Sequence, residues 1–125
     1  MARVLVIEDN PSNFKLFEMI LKSSGYEVLW AKNGQEGLAL ALDGQSALIL
    51  LDVRLPVIDG FEVARRLKAD ERTVRTPIVV VSAQAMQEDI RKAMDLGVEG
   101  YITKPFRYKE LLESVKRFLS QEECL

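Results

Sequence analysis

Five short apolar runs punctuate the chain, and three of them are continuous rather than alternating. The runs are "RVLVIE" (Arg3 to Glu8), "EVLWA" (Glu27 to Ala31), "ALILL" (Ala47 to Leu51), "PIVVVS" (Pro77 to Ser82) and "GYIT" (Gly100 to Thr103). A strand with one wet face alternates apolar and polar residues. An uninterrupted run suits a strand covered on both faces, as in a parallel sheet. The first, third and fourth runs are of that kind. The second and fifth are shorter and more mixed, as edge strands tend to be.

Segments with helical spacing lie between the runs. Phe14, Phe17 and Leu21 share one face, with Lys15, Glu18 and Lys22 turned away. Pro11 and Ser12 suit the opening of that helix, and Gly25 its stop. Further stripes are Leu38, Ala41 and Leu42, then Phe61, Ala64 and Leu67, then Met86, Ile90, Ala93 and Met94. The last is Leu111, Leu112, Val115, Phe118 and Leu119. All five stripes are predicted to be core. Strand then helix, five times over, predicts an α/β fold: a doubly wound five-stranded parallel sheet with five helices and right-handed crossovers. The 125 residues suit one domain, residues 1–125, with no linker and no output domain.

Composition narrows the function classes. The net charge is −2, with 48% hydrophobic and 29% charged residues, which suits a soluble globular domain. No basic stripe predicts nucleic-acid contact, and Arg65-Arg66 reads as the wet face of a helix. No apolar run is long enough for a signal peptide or a membrane span. The lone cysteine, Cys124, allows no disulfide within the chain and has no expected role. A reducing, cytoplasmic location is therefore expected. The chain has no histidine, which excludes that residue as base, metal ligand or phosphocarrier.

The stretch "ALILLDVRLPVIDG" then raises a question. A buried strand ends at a carboxylate, Asp52, and burying a charge is costly unless it is paired or neutralised. In an open parallel sheet, ligands bind beyond the carboxyl ends of the strands. The first strand ends in Glu8-Asp9, the third in Asp52 and the fourth in Ser82. The fifth is followed by Lys104. Three acids, a hydroxyl and an ammonium thus gather at one edge. Clustered carboxylates repel one another unless a cation is present, and hard oxygen ligands favour Mg²⁺. A carboxylate can itself act as nucleophile and form an aspartyl-phosphate. Phosphoryl transfer then needs little beyond positioning and charge neutralisation. A plainer alternative stays open: Asp9 or Asn10 capping the first helix, Asp59 the third, Ser82 the fourth, and Lys104 in an ordinary salt bridge.

With these residues in hand, the chain resembles a response-regulator receiver domain, the phospho-acceptor module of two-component signalling. The matching motifs are "VLVIEDN", "LILLDVRLPVIDG", "IVVVSA" and "GYITKPF", in order across nearly the whole chain. The resemblance is to stand-alone, single-domain receivers of the DivK or CheY type. It implies a flavodoxin-like fold with strand order 2-1-3-4-5. It implies Asp52 as phospho-acceptor, and Mg²⁺ held by Asp9, Asp52 and the backbone carbonyl of Arg54, with Glu8 acting through water. Lys104 would contact the phosphoryl oxygens, and a cis peptide would precede Pro105. Ser82 and Tyr101 would form a switch acting on the face of the fourth helix, fifth strand and fifth helix. Arg54 and Gln84 would tune the lifetime of the phosphate. The implied partners are a sensor or hybrid histidine kinase or a histidine phosphotransfer protein, and a downstream protein target. Neither nucleic acid nor membrane would be bound directly, and the protein would be a monomer or a weak phosphorylation-dependent dimer. The catalysis implied is only of its own phosphorylation and dephosphorylation. Two rivals fare worse. A dehalogenase-type phosphatase needs an acid two residues after the nucleophile, where Arg54 stands. A flavin site needs a phosphate-cradling loop where "EDNPSNF" places two acids.

Overall fold

The computed structural model describes residues 2–43, 46–83 and 86–123, the last four by backbone alone. Gln84 and Cys124, both singled out above, lie outside the described residues. The elements are β1 (Arg3–Ile7), α1 (Pro11–Ser23), β2 (Glu27–Ala31), α2 (Gly34–Leu42), β3 (Leu48–Leu51), α3 (Gly60–Ala69), β4 (Ile78–Ser82), α4 (Gln87–Asp95), β5 (Gly100–Thr103) and α5 (Tyr108–Glu123). Every strand pairing is parallel, and the sheet order is β2-β1-β3-β4-β5. The continuous apolar runs are the central strands and the mixed runs are the two edges. Chain order reverses between β1 and β3, so their carboxyl ends flank the crevice where such sheets bind ligands.

Strand alternation divides the core into two layers. Leu5, Ile7, Ile49, Leu51, Ile78 and Val80 face one side, against Ala41, Val63, Ala64, Leu67 and Ala93 from α2, α3 and α4. Val4, Val6, Leu48, Leu50, Val79 and Val81 face the other, against Phe14, Phe17 and Leu21 of α1 and Leu111, Val115 and Leu119 of α5. Two caps match the plainer expectation. The Asn10 side chain accepts from the Ser12 and Asn13 amides, and Asp59 accepts from the Glu62 amide. Ser82 caps nothing, because α4 starts after Met86 without a side-chain cap.

The fourth helix corrects the core expectation. Ala93 is buried, but Met86 is 70% exposed, Met94 47% exposed and Ile90 only half-buried. The helix lies over the β5 edge of the sheet and beside α3, so only one narrow line of it meets the core. Its contact with α3 is partly polar, the Lys92 ammonium sitting 4.4 Å from the centre of the Phe61 ring. Leu38, Leu42, Phe61, Leu112 and Phe118 are likewise half-buried, whereas Val63, absent from the predicted stripe, is fully buried.

Candidate functional site

Parallel pairing puts the ends of β1, β3, β4 and β5 on one edge. Beyond β1 the ladder runs one bond further, the Glu8 amide donating to the Ala31 carbonyl at 3.0 Å, which buries Glu8. Asp52 follows β3 directly, its amide donating to the Ile7 carbonyl at 3.1 Å. The loop after it doubles back tightly. Gly60 donates to the Val53 carbonyl at 2.9 Å, and a Cβ on Gly60 would overlap the Asp52 carbonyl oxygen. Only glycine lets the chain pass so close to the backbone of Asp52. Lys104 follows β5, its amide donating to the Ser82 carbonyl at 2.9 Å, and the Lys104–Pro105 peptide is cis.

These backbone constraints converge the side chains. Glu8, Asp9 and Asp52 each offer a carboxylate oxygen, and the three atoms lie within 4.8 Å of one another. The Lys104 ammonium sits 2.9 Å from Glu8 Oε1 and 3.3 Å from Asp52 Oδ2. The Arg54 amide donates to Asp52 Oδ1 at 2.9 Å, and the Asn10 amide to Glu8 Oε2 at 3.3 Å. One ammonium therefore meets two carboxylates, with a third beside them. Burial pushes the Glu8 carboxyl above its ordinary range. The hydrogen bond from Lys104 pulls it back, and the Asp52 charge pushes it up again. The donor set is all hard oxygen with surplus negative charge, which fits a hydrated divalent cation such as Mg²⁺. The acids open onto a cleft of about 530 Å³ that Arg54 and Ala83 also line. Beside it is a mostly apolar recess of about 390 Å³, between α1 and residues 104–106, lined by Leu16, Phe17 and Phe106 among others.

Ser82 is fully buried at the end of β4. Tyr101 on β5 is half-buried against the α2–α3–α4 core layer. Burial raises the Tyr101 hydroxyl above its ordinary range and the Asp89 charge raises it further, while a hydrogen bond with Ser82 opposes both. The hydroxyl and the ring are thus already linked. Sequence reasoning passed over Trp30, whose indole N–H donates to the Glu8 carbonyl at 2.8 Å. The one available signal was that it is the sole tryptophan, set in an edge strand.

A family description, the response regulator receiver domain, matches residues 4–116. The chain belongs to that family. Receiver domains are phospho-acceptor signalling modules and are generally not classed as enzymes. This receiver domain is 39% identical over 116 residues to the polar-differentiation response regulator DivK of Brucella anthropi, covering 93% of this chain and 94% of DivK. It is also 39% identical over 123 residues to the DNA-binding dual master transcriptional regulator RpaA of Synechocystis, covering 98% of this chain and 51% of RpaA. The chain thus spans about half the length of RpaA. Among solved structures, Vibrio cholerae chemotaxis protein CheY4 is 32% identical with a TM-score of 0.89, over 95% of this chain and 99% of CheY4. The receiver domain of the Pseudomonas aeruginosa sensor histidine kinase PA1611 has magnesium coordinated in its active-site cleft. It is 34% identical with a TM-score of 0.88, over 95% of this chain and 98% of that one. The fold is therefore the CheY-like, flavodoxin-like one. No described helix is long and apolar enough to cross a membrane.

Proposed function

We propose that this receiver domain accepts a phosphoryl group on Asp52 from a phosphohistidine, in a Mg²⁺-dependent reaction. The carrying observation is the Lys104 ammonium set between Glu8 and Asp52, with Asp9 completing a three-acid cluster. Asp9, Asp52 and the Arg54 carbonyl would hold Mg²⁺, with Glu8 acting through water, and the ion would supply positive charge against both the acids and the phosphoryl oxygens. The Arg54 amide fixes the Asp52 carboxylate in orientation. A carboxylate oxygen of Asp52 bonds to phosphorus as the nitrogen–phosphorus bond of the donor breaks, and the freed imidazole takes up a proton. Lys104 leaves Asp52 for the transferred oxygens, which carry more charge. Arg54 lines the cleft beside Asp52, where it tunes the phosphate lifetime, a role the family resemblance also gives to Gln84.

Ser82 then bonds a phosphoryl oxygen, which alters its link to Tyr101 and the packing of that ring. The readout is a changed surface on α4, β5 and α5, a shift between two states weighted by their contact with phosphate. Met86 and Met94 leave apolar area uncovered on that face. The donor is a sensor or hybrid histidine kinase or a phosphotransfer protein, and the output is contact with a downstream protein. The chain is a monomer or a weak dimer that depends on phosphorylation. The lone cysteine and the absence of a basic stripe support a cytoplasmic setting without direct DNA contact.

Intact-mass spectrometry after incubation with phosphoramidate tests this, in three arms: with Mg²⁺, with chelator, and with Asp52→Asn. One phosphoryl adduct is expected in the first arm alone. A folded protein that takes none with Mg²⁺, or an Asp52→Asn variant that still takes one, overturns it.

A further inference from the structure

We propose that Trp30 is a positioning residue for the acidic cluster, holding the Glu8–Asp9 peptide so that Asp9 meets Glu8 and Asp52. This rests on the reading of that cluster as the Mg²⁺ site. Asp9 is exposed, and among the described residues no hydrogen bond holds its side chain. Its place within the 4.8 Å cluster is therefore set by the backbone that carries it. The decisive backbone group is the Glu8 carbonyl, which belongs to the peptide joining Glu8 to Asp9. A buried carbonyl needs a donor. The neighbouring strand does not extend far enough to supply one: the Asn33 amide, next in register after the Ala31 carbonyl that accepts from Glu8, lies beyond the end of β2 and makes no backbone bond to the Glu8 carbonyl. The indole N–H of Trp30 supplies it instead, at 2.8 Å.

The same indole also braces the helix beyond the acids. The Phe14 ring of α1 stacks on it, with centroids 4.4 Å apart and planes 4° from parallel. The acidic loop thus runs between two points fixed on one side chain: the Glu8 carbonyl before Asp9, and the first turns of α1 after it. A partner that orients a ligating residue from behind tunes metal affinity even though it never touches the ion.

Calorimetric Mg²⁺ titration of wild type, Trp30→Phe and Trp30→Leu tests this, with urea denaturation alongside. Trp30→Phe keeps a ring for Phe14 and loses only the N–H donor. Its Mg²⁺ affinity is expected to fall about five-fold, the worth of roughly one hydrogen bond. Its phosphoryl uptake from phosphoramidate recovers the wild-type maximum at saturating Mg²⁺, a split that a merely structural role would not give. Trp30→Leu falls further. Because Trp30 is the sole tryptophan, wild-type emission should also titrate with Mg²⁺ at the calorimetric midpoint. A wild type that binds Mg²⁺ alongside an equally tight Trp30→Phe overturns the role of Trp30 alone, as does binding that leaves the emission unmoved. A wild type that binds no Mg²⁺ overturns the metal reading and this inference with it.

Discussion

At the amino-terminal end of the sheet, the Lys68 ammonium meets the Val74 carbonyl at 3.2 Å, the Thr76 carbonyl at 3.1 Å and Glu99 Oε2 at 2.9 Å. Glu99 in turn accepts from the Ile78 amide at 2.8 Å. At the carboxyl end, the Lys104 ammonium meets two carboxylates, with a third beside them. The two lysine side chains are similarly sheltered, 10% and 18% exposed. They differ in what surrounds them. Three donors on Lys68 find three acceptors, and one cation balances one acid, which is how a buried charge is made tolerable. Lys104 is outnumbered. An end built only for stability would be neutral. The surplus negative charge at the other end fits the Mg²⁺ ion and phosphoryl group of the proposed function.

Removing Lys68 breaks the neutral end and gives the largest expected effect. Lys68→Met leaves two carbonyls and a carboxylate without their donor and should cost about 2 kcal/mol of stability, below the value for a fully buried pair because Glu99 is partly exposed. Phosphoryl uptake per folded molecule should stay within about two-fold of wild type, since the acids lie at the opposite end of the strands. Urea denaturation and a phosphoramidate time course measure the two. If uptake collapses while the protein remains folded, the ends are coupled and the comparison fails.

A smaller effect should appear with pH at the acidic end. The folded pKa of Glu8 is raised above the ordinary 4.5. The folded state therefore keeps this proton to higher pH than the unfolded state does. The contribution of Glu8 is fully present below pH 4.5 and is lost as pH rises through the folded pKa, with a slope of at most about 1.4 kcal/mol per pH unit. Glu62 and Asp70, lowered to about 2 by exposed arginine partners, act in the opposite sense and only at lower pH. The chain has no histidine to obscure the window above pH 5. Metal-free wild type should lose stability from pH 5 upward, and Glu8→Gln should flatten that loss. Equal slopes for the two proteins would mean that Glu8 titrates as if unburied.

The same contrast explains what could be read from sequence. The acids, the hydroxyl and Lys104 were legible because each sits at or just after the end of an apolar run, and a parallel sheet sends all such ends to one edge, whereas the strand order came only from the family resemblance. The Asn10 and Asp59 caps were legible because capping is local. Lys68 with Glu99 was not, since the partners are 31 positions apart and nothing in either neighbourhood marks them. Trp30 and Glu8, 22 apart, escaped for the same reason. The exposed Met86 and Met94 misled because helical spacing shows that a face is apolar, not whether the fold covers it.

The smallest expected effect concerns backbone strain at the acidic end. Val57, in the loop after Asp52, has φ of 66°, and among the described residues it is the one non-glycine with positive φ. A β-branched side chain is ill suited to that region, because its Cβ crowds the backbone. Val57 is 102% exposed, so its side chain gains no burial in return. Val57→Gly removes the clash but gives the unfolded chain more freedom, which offsets part of the gain. The net expectation is a stabilisation of about 0.5 kcal/mol, read as a higher urea midpoint with an unchanged slope. Mg²⁺ affinity should move little, because the Arg54 amide and Gly60 still fix Asp52 on either side of the loop. A lower midpoint would show that the loop holds Val57 for a contact worth more than the strain. A large change in Mg²⁺ affinity would make the strained turn part of the acidic site.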